Sequence, residues 1–263
     1  MSILLPDNIE KVAADALENT AKPLSINVGQ TIADLWYLVF GGISFSAEKR
    51  KLRYSAELKK FKEEVEAKCK SVPENELKEP DTQIAGLALE KSKFCVENET
   101  LRSMFSSLIA SSMRKDKENI MHPSYAEIIT QMSSDDAKAL LSFENSEGMP
   151  IQNFRLIIDN GYLSLFENVW KPCHSIEELE QCRITIDSLS RLGLVNISYS
   201  EAFKQDEQYD ELSNSEICGV LNAYVDSKYK FYLDTQAKEH RIVKLKGVVS
   251  LTGFGKNFLS CVV

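Results

Sequence analysis

Apolar residues recur at helical spacing in three successive stretches of this chain, and that restricts it to a helical core. Leu101, Met104, Phe105, Leu108 and Ile109 repeat every three or four positions between residues 97 and 113. This is the period that gathers side chains on one face of a helix. Ser106, Ser107, Ala110 and Ser111 interleave with them, and side chains this small let a second helix approach closely. After a charged loop over residues 114–119, His122-Pro123-Ser124 starts the next helix. Pro123 turns the residue before it away from helical geometry and itself suits a first turn. Tyr125, Ile128, Ile129 and Met132 form the inner face. Ser133-Ser134-Asp135-Asp136 is a second start signal, a serine cap followed by acids where the helix dipole favours them. Ala137, Leu140 and Leu141 carry that third helix inward.

The same reading upstream predicts further helices. Residues 3–21 form a short one, capped by Asp7 and ended by Lys22-Pro23. Residues 26–46 are the most apolar part, with Val28, Ile32, Leu35, Trp36, Val39 and Ile43 on one face. Residues 46–70 are rich in Glu and Lys, with a thin stripe of Leu52, Leu58, Phe61 and Val65. Residues 71–81 hold Pro73 and Pro80 and form a connector; residues 82–94 are helical again. Between Asp34 and Glu48, 13 residues carry no charge, short of the roughly 20 that a spanning helix needs. Lys49, Arg50, Lys51 and Arg53 follow at once. One reading makes Trp36, Tyr37 and Phe40 an interfacial wedge and these four bases its contact with anionic headgroups. The other is a buried helix followed by a solvated one. The order of the blocks favours the second, because interfacial helices interleave basic and apolar residues.

The texture changes near residues 144–150, where Gly148 and Pro150 interrupt a polar run. The expected division is therefore a helical part over 1–144 and a smaller α+β part over 145–263. In the latter, residues 154–158 and 163–169 are short apolar runs about a turn at Asn160-Gly161. Residues 175–192 are one or two helices, opened by a capping box of Ser175 and Glu178 and closed by Gly193. A strand over 195–199 follows, then an acidic loop over 201–211. Residues 215–236 read as mixed helix or strand, and 241–251 as a strand or a hairpin about Gly247. Thr252 caps a last helix.

The chain has 263 residues and 43% apolar composition, enough for one large domain or two modest ones. Its formal charge of −8 argues against broad nucleic-acid binding, which needs a surplus of Lys and Arg. Cys69, Cys95, Cys173, Cys182, Cys218 and Cys261 are spread singly, and residues 1–10 lack the basic start and apolar run of a secretory leader. Reduced thiols in a cytoplasmic protein are the expectation. Cys173-His174 with Cys182 is the nearest Cys/His grouping, and its spacing fits no standard zinc arrangement. Gly253-Phe254-Gly255-Lys256 lacks the remaining glycines and the hydroxyl residue of a phosphate loop, and reads as a turn feeding the last helix. With three histidines and no GxSxG elbow, no catalytic constellation is recognisable. No cofactor, metal or catalytic residue is therefore assigned. The order helix, LGLV, strand and later ribbon is that of a winged-helix unit. Its helix sets Arg183, Ser188 and Arg191 against Asp187, which is thin for a DNA reader and fits protein contacts better.

Several stretches taken together carry a resemblance. They are EPDTQIAGLALE at 79–90, the helix over 101–113, HPSYAEII at 122–129, the helix over 133–141, RLGLV at 191–195 and LTGFGKNFLSC at 251–261. In order and spacing they resemble the bacterial Abi-alpha (abortive infection alpha) family. The resemblance implies antiphage defence, and it supplies no established catalytic residues to carry over. The combined expectation is a mainly α, non-enzymatic cytoplasmic defence protein. It has a helical N-terminal part and a smaller α+β part of winged-helix character, and it acts on a phage or host protein partner. His122, Pro123, Tyr125, Gly253, Phe254, Gly255 and Lys256 are the candidate interaction positions. The alternatives are an effector at the inner membrane surface, using the wedge and basic cluster above, and a winged-helix DNA-binding regulator.

Overall fold

The computed structural model describes residues 26–42, 48–159, 161–236 and 240–263. The helix expected over 3–21 lies outside the described residues, as do residues 43–47 of the apolar segment. The fold is mainly helical, with one antiparallel sheet toward the C-terminus. It divides into two compact units, residues 26–138 with 257–263, and residues 139–256. The expected division put 257–263 with the second part; they pack instead with the first.

The first unit contains α1 (Ile26–Phe40), α2 (Glu48–Lys70), α3 (Thr82–Ser92), α4 (Glu99–Ser111) and α5 (Tyr125–Gln131). It also holds the first part of α6 (Ser134–Leu141). Helix α4 packs against α2, α3 and α5. Leu101, Met104, Phe105, Leu108 and Ile109 are all buried, as its periodicity requires, and so are Ser106, Ser107 and Ser111. Burying each large side chain contributes about 1.5–3 kcal/mol. The helix ends follow the sequence signals. Asp81 accepts from the backbone N–H of Gln83 and Ile84. Asn98 accepts from Leu101. Ser133 and Asp136 form a reciprocal capping box, at 3.0 Å and 2.8 Å.

Trp36 and Phe40 of α1 are buried against Phe61 of α2, with ring centroids 5.5 Å and 6.4 Å from it. The buried stripe of α2 runs Phe61, Val65 and Cys69. Leu52, expected in that stripe, is 69% exposed. Arg102 of α4 projects toward α2 with 7% of its side chain exposed. Its guanidinium donates to Glu57 at 2.7 Å, to Glu64 at 2.8 Å and to the Val96 carbonyl at 3.0 Å.

The second unit contains β1 (Met149–Ile158), β2 (Gly161–Val169), α7 (Ile176–Arg191), β3 (Val195–Ser198), α8 (Ser215–Gln236) and β4 (His240–Leu251). The last helix, α9 (Gly253–Val262), begins there. The strand order is β2-β1-β4-β3, with every pair antiparallel. Residues 215–236 are wholly helical, and 240–251 form one unbroken strand, which resolves both ambiguities of the sequence. Gly247 does not turn the chain. It lets β3 pass: a Cβ there would lie 2.5 Å from the Ser198 carbonyl oxygen and 2.6 Å from the Tyr199 ring. Strand β3 does pair with β4 as a winged-helix order suggests, but α8 intervenes and β4 is an inner strand of four. The pair is therefore no free-standing wing.

Phe154 of β1 meets Phe166 and Val169 of β2, Leu179 and Cys182 of α7, and Ile217 and Leu221 of α8 in one core cluster. Leu156 continues it with Val225 and Leu233 of α8. Gln152, also on β1, is fully buried, and neither its amide nitrogen nor its oxygen has a hydrogen-bond partner among the described residues. A buried polar group left unpaired costs about 1–3 kcal/mol. Gln152→Met keeps the volume and removes the cost. It is expected to raise the urea midpoint, by about 1 kcal/mol of stability. A lowered midpoint would mean that the amide is paired in solution.

Candidate functional site

Helix α7 starts where Ser175 accepts from the Glu178 N–H at 3.2 Å and Glu178 accepts from the His174 N–H at 2.8 Å. Ser175 is the cap the sequence predicts, while the return bond of Glu178 goes to His174, one residue before the cap. It ends where Gly193 takes φ +73° and Leu194 donates to the Leu189 carbonyl at 3.0 Å, a turn that glycine makes without steric cost. Leu179, Cys182, Ile186 and Leu189 face the core. One side of α7 is left open, and there it forms an open groove of 530 Å³ with β2 and α8.

Leu165 and Phe166 of β2, Leu179 of α7 and Tyr224 of α8 make an apolar floor. Ile184 stands on the groove wall and is 59% exposed. Along the rim, Glu180, Arg183, Asp187 and Arg191 alternate in sign at three- and four-residue spacing. Two acids and two bases leave the rim formally neutral. Arg183 pairs with Asp187 at 3.4 Å, and Asn168 donates to the other oxygen of Asp187 at 2.8 Å. Chemically the groove offers apolar area ringed by both charges.

The positions proposed from sequence are placed differently. His122 is exposed; its Nδ1 lies 2.7 Å from the Ser124 hydroxyl and accepts from the Ser124 N–H. Pro123 is exposed beside it. Tyr125 is buried, donates to the Ile120 carbonyl at 2.8 Å and packs edge-on against Phe258, which corrects its reading as a contact residue. This block is a helix entry. Gly253-Phe254-Gly255-Lys256 is another: Thr252 accepts from the Gly255 N–H at 2.8 Å, and its carbonyl accepts from Lys256. Gly255 is buried, which corrects its place among the contact positions, while Gly253 and Lys256 are exposed and Phe254 is half-buried.

The interfacial wedge is corrected as well. Trp36 and Phe40 lie in the core, because each gains more contact against Phe61 than a surface position would give it. Tyr37 and Leu38 face outward, 57% and 78% exposed. Lys49, Arg50 and Lys51 fall in the first turns of α2, and Arg53 pairs with Glu97 at 3.1 Å. Among the described residues, no helix is long and apolar enough to cross a membrane. His174 turns to Glu216 at 3.0 Å, and no group of three metal-binding side chains occurs among the described residues.

Sequence reasoning missed Leu165, Phe166, Ile184 and Tyr224. Only Ile184 left a signal, an isoleucine out of phase with the inner face of α7. The others meet only in the fold.

The structure thus defines a mainly α-helical protein with a C-terminal four-stranded antiparallel sheet and an open groove beside α7. Within that class the chain belongs to the Abortive infection alpha family, whose model matches residues 53–262. No curated protein and no solved structure gives a match.

Proposed function

We propose that this chain is an antiphage protein of abortive-infection type that acts by binding another protein in the groove beside α7. The family supplies the defence context, and the groove carries the mode of action. Its exposed Ile184 over an apolar floor is the kind of central anchor that dominates protein binding. The alternating rim favours a polypeptide over a nucleic acid, since Glu180 and Asp187 would repel phosphates that Arg183 and Arg191 attract. A membrane reading keeps only Tyr37 of its wedge and is not adopted.

The test is plaquing and culture survival at low and high phage-to-cell ratios. The wild-type chain is expected to protect at low ratio and to let the culture collapse at high ratio. Ile184→Asp should keep the fold, because the side chain is already exposed. It should weaken partner binding by about 2 kcal/mol, on the order of thirty-fold, and abolish protection. Full protection by Ile184→Asp sinks the groove. No protection by the wild type against a broad phage panel sinks the defence reading.

A further inference from the structure

The sulfurs of Cys173 and Cys182 lie 3.2 Å apart, both buried. Cys173 belongs to the connector between β2 and α7, and Cys182 to the second turn of α7. A disulfide needs about 2.05 Å, so the two atoms must close by only about 1 Å.

Their surroundings differ. The Cys173 sulfur, 3.2 Å away with either atom able to donate, and the backbone of Trp170 and Lys171 favour the thiolate of Cys182. These outweigh burial and bring its pKa down to about 7. Cys173, hydrogen-bonded beside that sulfur and buried, is pushed up. Its thiol donates to the Lys171 carbonyl oxygen at 3.3 Å. Cys182 is thus the nucleophile of the pair, because the thiolate is the reactive form. Both sulfurs are buried, Cys173 at 1% and Cys182 at 0% exposure, while Lys171, Pro172 and His174 next to Cys173 in the chain are exposed.

We propose that Cys173 and Cys182 are a redox modification site that a hydroperoxide converts to an intramolecular disulfide. The Cys182 thiolate attacks one peroxide oxygen and the O–O bond breaks. With hydrogen peroxide this leaves a sulfenic acid on Cys182 and a hydroxide that takes up a proton as water. The Cys173 sulfur then attacks the Cys182 sulfur, the S–O bond breaks, and the hydroxide leaves as a second water with the Cys173 proton. Two thiols are oxidised by two electrons in total, and one peroxide is reduced to two waters. The bond ties the end of β2 to α7, the helix that forms the groove wall.

The experiment treats the full chain with hydrogen peroxide, alkylates it after unfolding and digests it with trypsin. Lys171 is followed by Pro172, so both cysteines stay on one fragment, residues 156–183. That fragment is expected to become lighter by two hydrogen masses and to resist alkylation until dithiothreitol restores it. Cys173→Ser is expected instead to hold a sulfenic acid on Cys182 that dimedone traps. The proposal is overturned if both thiols stay alkylatable while the half-buried Cys218 oxidises. It is equally overturned if the fragment carries only sulfinic or sulfonic acids. Neither outcome depends on a variant folding.

Discussion

Gly255→Ala is expected to destabilise the second unit by about 3 kcal/mol, a fall of roughly 6–12 °C in Tm. A Cβ on Gly255 would lie 2.0 Å from the Leu194 carbonyl oxygen and 2.8 Å from its carbon. Both are backbone atoms, so no side-chain rotation relieves the clash. Moving Leu194 has its own cost. Its carbonyl accepts from the Thr252 N–H at 3.0 Å, and the Gly193 carbonyl accepts from the Thr252 hydroxyl at 2.7 Å. Displacing the strand entry therefore breaks the cap of α9 along with the contact. Gly253→Ala is the control, because a Cβ there meets nothing within 4 Å; it should change stability by less than about 0.5 kcal/mol. Thermal melts of the two variants decide it. Equal melting temperatures would mean that α9 does not rest on residues 193–194.

Arg102→Ala carries the second large effect, about 3 kcal/mol in the first unit. Removing one member of a buried ion pair strands the others. Here the loss leaves Glu57 and Glu64 facing one another, and the Val96 carbonyl loses a donor. Both acids are partly exposed, 19% and 29% by side chain, which puts the cost at the lower end of the range. Replacing both acids with glutamine in the Arg102→Ala background should recover part of the loss, since the like charges are gone. The effect also depends on pH. The Lys60 hydrogen bond, aided by Arg102 and Arg53, holds the Glu57 carboxyl below its ordinary value. A carboxyl lowered by folding stabilises the fold above its unfolded pKa, and that contribution is lost as pH falls through the lowered value. Urea midpoints of wild type and Arg102→Ala should therefore converge in acid. A constant gap from neutral pH to well below the ordinary carboxylate range would remove the ion pair from the explanation.

Local signals in this chain proved readable where the physics is local. The caps at Ser133, Ser175 and Thr252 and the glycine after α7 all stand where the sequence put them. The face of α5 is buried as its spacing demands. Readings went astray where a distant residue decides. Gly247 looks like a turn, yet it serves the close passage of residues 198–199. Trp36 and Phe40 look like a wedge until Phe61, over twenty positions on, covers them. The α8 segment holds aromatic and β-branched residues that favour strands, and packing of Ile217, Leu221, Val225 and Leu233 overrides that preference. The groove joins β2, α7 and α8, so no window of sequence contains it; the two thiols fall within one window, and only the fold shows that their sulfurs meet.

The first unit is completed by residues 257–263, which follow 118 residues of the second unit, 139–256. On a ribosome adding about 5–20 residues per second, that interval lasts roughly 6–24 s. Until it ends, the ring edge of Tyr125 lacks Phe258, and the Ser111 hydroxyl lacks the Cys261 carbonyl it donates to. The unit made first is thus finished last. Incomplete translation products carry a helical core without these two contacts.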